Sequence, residues 1–417
     1  MKKWGRFGVA AAMLVAVLAF HQLKSVRAAG GPAQGEGGPY RVLAPIVSGN
    51  LLLFPVVRDD GKSTGETPFI TLDDGLKSGE VEVTEAGRAR GLVRPRGSSH
   101  SPARDNLDRG DEVNTLVLVN HSKRPLLLLA GEIVTGGKQD RIVAKDRIVP
   151  ADADPIDLTV FCIEPGRWTE SSANFGASSK SSMGSFMVQP GVRERAMVDQ
   201  DQEQVWNSVG GAISQMEVAA APPIGSGGSH DEPASPRTLG TSSYAKAMED
   251  SSVSEKVDEA AAPVMNAREQ VLAQLREEHA VGVVVAVRGE IIWADLFANT
   301  DLLSRYWTKL VRSYAAESLT EGEDHPTPTT ADAQHFLDTP SGGTENSEGE
   351  VGIYRYRELK SAAAETFVLE SLLPGTGYDV HLSKMKLRGE ESQNVKPQPI
   401  YEPPMYRPDV YSPEIVR

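Results

Sequence analysis

Residues 114–168 read NTLVLVNHSKRPLLLLAGEIVTGGKQDRIVAKDRIVPADADPIDLTVFCIEPGRW. Three apolar runs rich in Val, Ile and Leu each end where glycine, a carboxylate and a cation crowd together. That layout predicts a small β-meander whose turns carry the polar chemistry. Gly136 and Gly137 let the chain turn with positive φ and leave backbone amides uncovered by any Cβ. Lys138, Gln139, Asp140 and Arg141 follow at once, and bare amides beside cations form a nest for a phosphate or carboxylate. Glu132, Asp140 and Glu164 are the candidate catalytic carboxylates, and Glu132 or Asp140 is suited to binding a ribose hydroxyl or acting as a base. Glu164, Arg167 and Trp168 bring a carboxylate, a fork donor and a stacking surface to a second strand end. Neighbouring strands would place both clusters on one rim. The plain alternative is that charges at hairpin ends pair with one another in solvent and that Gly-Gly is an ordinary turn.

Upstream, VLAPIVSG and NLLLFPVV predict two short strands whose prolines, Pro45 and Pro55, belong at ends, bulges or edges. VEVTE, residues 81–85, alternates as a half-buried strand should. Downstream, residues 192–216 turn helical, although Gly210 and Gly211 interrupt the apolar face. Residues 264–278 form a second predicted helix. VGVVVAV and EIIWADLF then flank an Arg288-Gly289 turn and predict a hairpin buried on both faces. A third helix follows over 300–316, capped by Asn299 or Thr300, with Leu302, Leu303, Tyr306, Trp307, Leu310, Val311 and Tyr314 along one side. Residues 217–262 and 318–350 lack a sustained apolar face and are expected to be disordered insertions. DRIV occurs twice, at 140–143 and 146–149, but two copies cannot build a solenoid and the match reads as coincidence.

The ends of the chain bear on its address. Lys2, Lys3 and Arg6 precede an apolar run over 7–20, which is too short for the roughly 20 residues of a spanning helix. With the small-residue exit at Ala28, this predicts a signal peptide over 1–28 and an exported, periplasmic or extracellular protein. Contact with a membrane is expected only through an uncleaved signal. Residues 29–39 make a flexible leader, and 390–417, where six prolines alternate with Tyr401, Tyr406 and Tyr411, make an extended tail suited to a protein partner. The main domain is then expected in two parts, 40–216 and 263–389.

Composition narrows the function. The 417 residues carry 57 acidic and 43 basic side chains, a net charge of −14, which repels nucleic acid. Cys162 is the only cysteine, so an exported chain must rely on its core rather than an internal disulfide. Within LTVFCI that thiol reads as buried and inert. The eight histidines show no metal-ligand spacing, so no metal site is expected. Walker, Rossmann and G-x-S-x-G patterns are all missing from the sequence, so these motifs leave the cofactor unknown.

LLLLAGEIVTGGKQDRIV, then FCIEPGRW, and later VGVVVAVRGEIIWADLF with LLSRYWTKLVRSYA, resemble the domain family named for its association with ADP-ribosylglycohydrolases and rhodanese-like phosphatases. The resemblance covers residues 40–387. It implies a role near ADP-ribose chemistry and carries to Glu132, Gly136, Gly137, Lys138, Gln139, Asp140, Arg141, Glu164, Gly166, Arg167 and Trp168, with Pro165 where a polar residue is expected. The expectation is an α+β domain with an antiparallel-rich sheet, three helices and two disordered insertions. Its function is read as binding or processing an anionic, ADP-ribose-like ligand, a nucleotide or sugar phosphate. The alternative is a non-enzymatic envelope scaffold or partner-binding protein.

Overall fold

A computed structural model describes residues 39–58, 67–88, 92–93, 104–105, 114–167, 169–177, 185–221, 238–265, 268–340, 343–374 and 379–387. The expected signal peptide, most of the leader, the proline-tyrosine tail and Trp168 lie outside the described residues. Among those described, no helix is long and apolar enough to cross a membrane.

The first half is strand-rich. It comprises β1 (Tyr40–Val42), β2 (Ile46–Ser48), β3 (Leu51–Arg58), β4 (Ile70–Thr71), helix α1 (Leu72–Ser78), β5 (Val81–Glu85), β6 (Leu92–Val93) and β7 (Arg104–Asp105). The expected meander then supplies β8 (Thr115–Asn120), β9 (Leu126–Leu128), β10 (Ile133–Thr135), β11 (Arg141–Val143), β12 (Arg147–Val149) and β13 (Ala153–Cys162), followed by β14 (Gly176–Ala177). Helices come next: α2 (Pro190–Glu194) running into a π-turn (Arg195–Asp199), α3 (Gln202–Ala219), α4 (Tyr244–Glu249), α5 (Ser251–Met265) and α6 (Arg268–Glu277). The described residues end with β15 (Ala280–Val287), β16 (Glu290–Phe297), α7 (Thr300–Ser318), α8 (Thr330–Asp338), β17 (Thr344–Glu350), β18 (Tyr354–Lys360), β19 (Ala364–Ser371) and β20 (Asp379–Lys386).

The largest sheet runs β1-β3-β15-β16-β20-β19-β18-β17, with β2 also on β3. All its pairs are antiparallel, and β15 and β16 form the expected hairpin. Every residue of β15 is buried, as a strand covered on both faces requires. On one face, Leu51, Leu53, Val283, Val285 and Trp293 pack with α7, α5 and inward residues of the meander. On the other, Leu52, Phe54, Val284 and Leu296 pack with Ala333, Phe336 and Leu337 of α8.

The meander is not one sheet. Strands β10, β11, β13 and β8 sit in a six-stranded sheet with β14 and β5, whereas β9 and β12 leave it to pair with each other and with β4. The β4–β9 pair is parallel. Val83, Leu118, Val134 and Leu158 of the larger sheet share an apolar core with Leu126, Leu128 and Val149 of the smaller.

Four expectations need correction. The three helices become eight α-helices among the described residues. The first predicted helix is divided where Gln200 takes φ 51°, and its continuation α3 runs through Gly210 and Gly211 to Ala219. Much of the supposed insertion at 217–262 is helical: Val253, Val257, Ala261 and Val264 of α5 form a buried stripe. With one buried residue per turn, three valines and an alanine, the stripe is narrow and stands among polar and alanine neighbours. The supposed insertion at 318–350 holds α8 and β17. Helix α8 starts from a capping box between Thr329 and Asp332, and it covers apolar surface that the sheet would otherwise expose.

Candidate functional site

The expected rim forms where β10 turns into β11. Gly136 and Gly137 take φ 128° and 51°, values that favour glycine. A Cβ on Gly137 would lie 2.2 Å from Phe175 Cζ and 2.6 Å from Glu85 Oε1. Three successive amides are already capped by side-chain oxygens. Gly136 N–H donates to Asp140 Oδ1 (3.1 Å), Gly137 N–H to Ser172 Oγ (3.2 Å) and Lys138 N–H to Glu85 Oε1 (2.7 Å). Gly137→Ala is therefore expected to cost about 1–3 kcal/mol through overpacking and backbone strain. Urea denaturation checks this, and an unchanged midpoint would contradict the tight packing.

The second strand end meets the first, as read from the sequence. Glu164 accepts from Arg167 Nη2 (2.6 Å), Lys246 Nζ (2.8 Å) and the Asp140 amide (3.2 Å). Burial pushes its pKa up, but the hydrogen bonds from Arg167 and Lys246 outweigh that and hold it below the ordinary carboxylate value. Asp140 accepts from Ser243 Oγ (2.9 Å) as well as Gly136. Its pKa is raised, first by burial and then by the charge of Glu164. The Gln139 side chain donates to the Glu164 carbonyl (3.1 Å). Arg141 is fully buried. Burial lowers its pKa against the field of Cys162, Glu85 and Asp140.

Glu132 is engaged elsewhere. It is fully buried, accepts from the Leu129 amide (2.7 Å) and pairs with Lys309 of α7 (2.6 Å), which also reaches Asp73 (2.7 Å). Burial raises the Glu132 pKa, opposed by Lys309 and assisted by Asp73. For Lys309, burial pulls the pKa down but the two carboxylates outweigh it, so the ammonium stays protonated.

A larger polar network was not read from the sequence. Arg193 of α2 holds Asp295 of β16 through both fork nitrogens (2.9 and 3.2 Å) and donates to the Ala130 carbonyl (3.1 Å). Tyr314 and Ser383 also donate to Asp295. His381 of β20 bridges Asp295 (3.2 Å) and Asp146 (2.6 Å), and Asp146 accepts from the Ala130 amide (2.7 Å). The signal was present in EIIWADLF: a carboxylate inside a run buried on both faces must find a cation. The repeated DRIV also gains a physical meaning. Each Asp accepts an amide from a preceding turn, and each following Arg, 141 and 147, is buried.

Two open hollows lie away from the rim, beside β17. One of about 190 Å³ is lined by Lys145, Asn346, Ser347, Glu348, Tyr356 and Glu358. The other, about 270 Å³, is lined by Asn114, Ala144, Lys145, Thr159, Phe161, Gln200 and Glu348. Among the described residues, no group of three or more His, Cys, Asp or Glu side chains is placed to hold a metal ion.

A sequence model of the ARG and Rhodanese-Phosphatase-superfamily-associated Protein domain, ARPP-1, matches residues 39–385. The chain belongs to that family, as the three motif blocks implied. No curated protein and no solved structure gives a significant match.

Proposed function

We propose that this chain acts by binding a macromolecular partner, with the Gly136–Gly137 turn serving as an internal lock. One observation carries this reading: the three amides that would cradle an anion already bond to Asp140, Ser172 and Glu85 of the same chain. A phosphate entering there would have to displace two buried carboxylates, Asp140 and Glu85. Leaving a buried polar partner unsatisfied costs about 1–3 kcal/mol. Export remains part of the proposal and rests on the basic start and short apolar run of residues 1–28.

A second reading, binding of an anionic ADP-ribose-like molecule, is favoured by the cations beside Glu164. The Arg167 and Lys246 side chains are 19% and 56% exposed, so both offer charge to solvent. Thermal shift with millimolar ADP-ribose separates the two. The partner-binding reading expects an unchanged midpoint in wild type and in Arg167→Ala alike. A concentration-dependent rise that Arg167→Ala removes would overturn it in favour of the small ligand.

A further inference from the structure

Strand β17 ends the nine-stranded sheet and, among the described residues, pairs only with β18. The pairing keeps one register over seven residues, from Thr344↔Lys360 to Glu350↔Tyr354. Residues 344–348 are exposed. An edge strand offers a row of backbone donors and acceptors to any extended chain, and protein edges are commonly blunted by lysine, proline or a bulge. TENSEGE has no lysine or proline, and its register with β18 is unbroken. Its exposed charges are Glu345 and Glu348, both of one sign, since Glu350 is buried against Arg147. They repel a second copy of the same edge and attract a cationic strand.

The hollows lie where such a strand would place its side chains. Asn346 and Glu348 stand opposite Glu358 and Tyr356, and these four line the first hollow, which Lys145 closes from the turn between β11 and β12. The second hollow continues from Glu348 toward Phe161, Thr159 and Gln200. Of β17 it touches Glu348, and its other walls are Ala144, Lys145, Thr159 and Phe161 with Asn114 and Gln200. Alternate residues of an added strand point to one face, so every second side chain would enter this space. Its polar boundary is the Lys145–Glu348 ion pair at 3.0 Å, with the Glu348 side chain 45% exposed. An incoming cation would exchange with Lys145 for Glu348 and meet Glu358 behind it.

We propose that the outer edge of β17 is a docking strand that takes an extended basic polypeptide segment, backbone to backbone, with a Lys or Arg side chain set against Glu348 and Glu358. The proposal rests on the partner-binding reading and names the surface and chemistry of that partner. Strand addition draws affinity from main-chain hydrogen bonds and specificity from pockets for alternate side chains, and this edge supplies both.

The test uses the full chain and a fluorescein-labelled nonapeptide alternating Lys and Val, followed by fluorescence anisotropy at low salt. Two further peptides carry N-methyl groups on alternate backbone amides, in either the odd or the even phase. The expected result is saturable binding of the parent, at least tenfold weakening in one methylated phase and little change in the other. Only pairing along one peptide edge gives that asymmetry. Glu348→Gln, which keeps the strand and removes the charge, should weaken binding several-fold, and hydrogen exchange over residues 344–350 should slow when the parent peptide is present. Equal binding of both methylated peptides would mean mere attraction to an acidic surface and would overturn the proposal. So would the absence of parent binding. The ADP-ribose thermal shift tests the underlying reading separately, so the two can fail independently.

Discussion

Replacing Arg193 with Met is expected to lower unfolding stability by about 3–5 kcal/mol, the range found when one partner of a buried ion pair is removed. Arg193 and Asp295 are both fully buried. The carboxyl pKa is held well below its ordinary value because Arg193 and His381 outweigh the effect of burial. Methionine keeps much of the length and all of the apolar stem, so the loss isolates the guanidinium rather than a cavity. Three ties would go at once: the fork on Asp295, the bond to the Ala130 carbonyl and the stacking over Trp293 at 4.6 Å. These join α2 and the turn before β10 to the centre of the large sheet. Gly131 belongs to the same construction, since a Cβ there would lie 2.4 Å from Arg193 Cγ. The double variant Arg193→Met with Asp295→Leu should recover part of the loss, because it removes the orphaned charge. Urea denaturation of the three proteins decides it. A single-variant loss below about 1 kcal/mol would show that Asp295 is sufficiently held by Tyr314, Ser383 and His381.

The parts of this fold legible in the sequence are those whose information is local. The β15–β16 hairpin and α7 were readable because long apolar runs and a four-turn stripe leave little choice of structure. Asn299 caps α7 through the Leu302 amide, one of the two caps the sequence offered. The meander strands were readable one by one, but their partners were not. LLLL and RIV carry no instruction that β9 and β12 should leave β10, β11 and β13 for a sheet with β4. That choice depends on distant segments finding each other. The site divides the same way. Asp140, Glu164 and Arg167 are legible as charges near strand ends, whereas Ser243 and Lys246, which pair with Asp140 and Glu164, lie far along the chain. Glu132 was singled out beside the glycine turn, yet the residue that engages it is Lys309, hidden between Trp307 and Leu310 on a helix face read only for its apolar members.

Two buried groups should give the stability of this protein a two-stage dependence on pH. His381 is fully buried, and burial alone would lower its pKa. The carboxylates of Asp146 and Asp295 on its two ring nitrogens outweigh that and raise it from 6.5 to about 9. A raised pKa means that the folded state binds the proton more tightly than the unfolded one. The contribution is therefore complete below pH 6.5 and disappears as pH rises through 9, amounting to about 3 kcal/mol at 1.36 kcal/mol per unit. Glu365 of β19 is also fully buried. Burial first, and then the neighbouring Glu358 carboxyl, raise its pKa from 4.5 to about 7, against the opposing charge of Lys360. Its neutral form stabilises the fold below pH 4.5, and that contribution fades as pH rises through 7. Urea unfolding free energies measured from pH 5 to 9.5 should fall along both limbs in wild type. His381→Gln should flatten the limb between pH 7 and 9 and leave the lower one, and Glu365→Gln should do the reverse. If His381→Gln still lost stability steeply above pH 7, the proton on this imidazole would not be what ties β20 to the turn before β12.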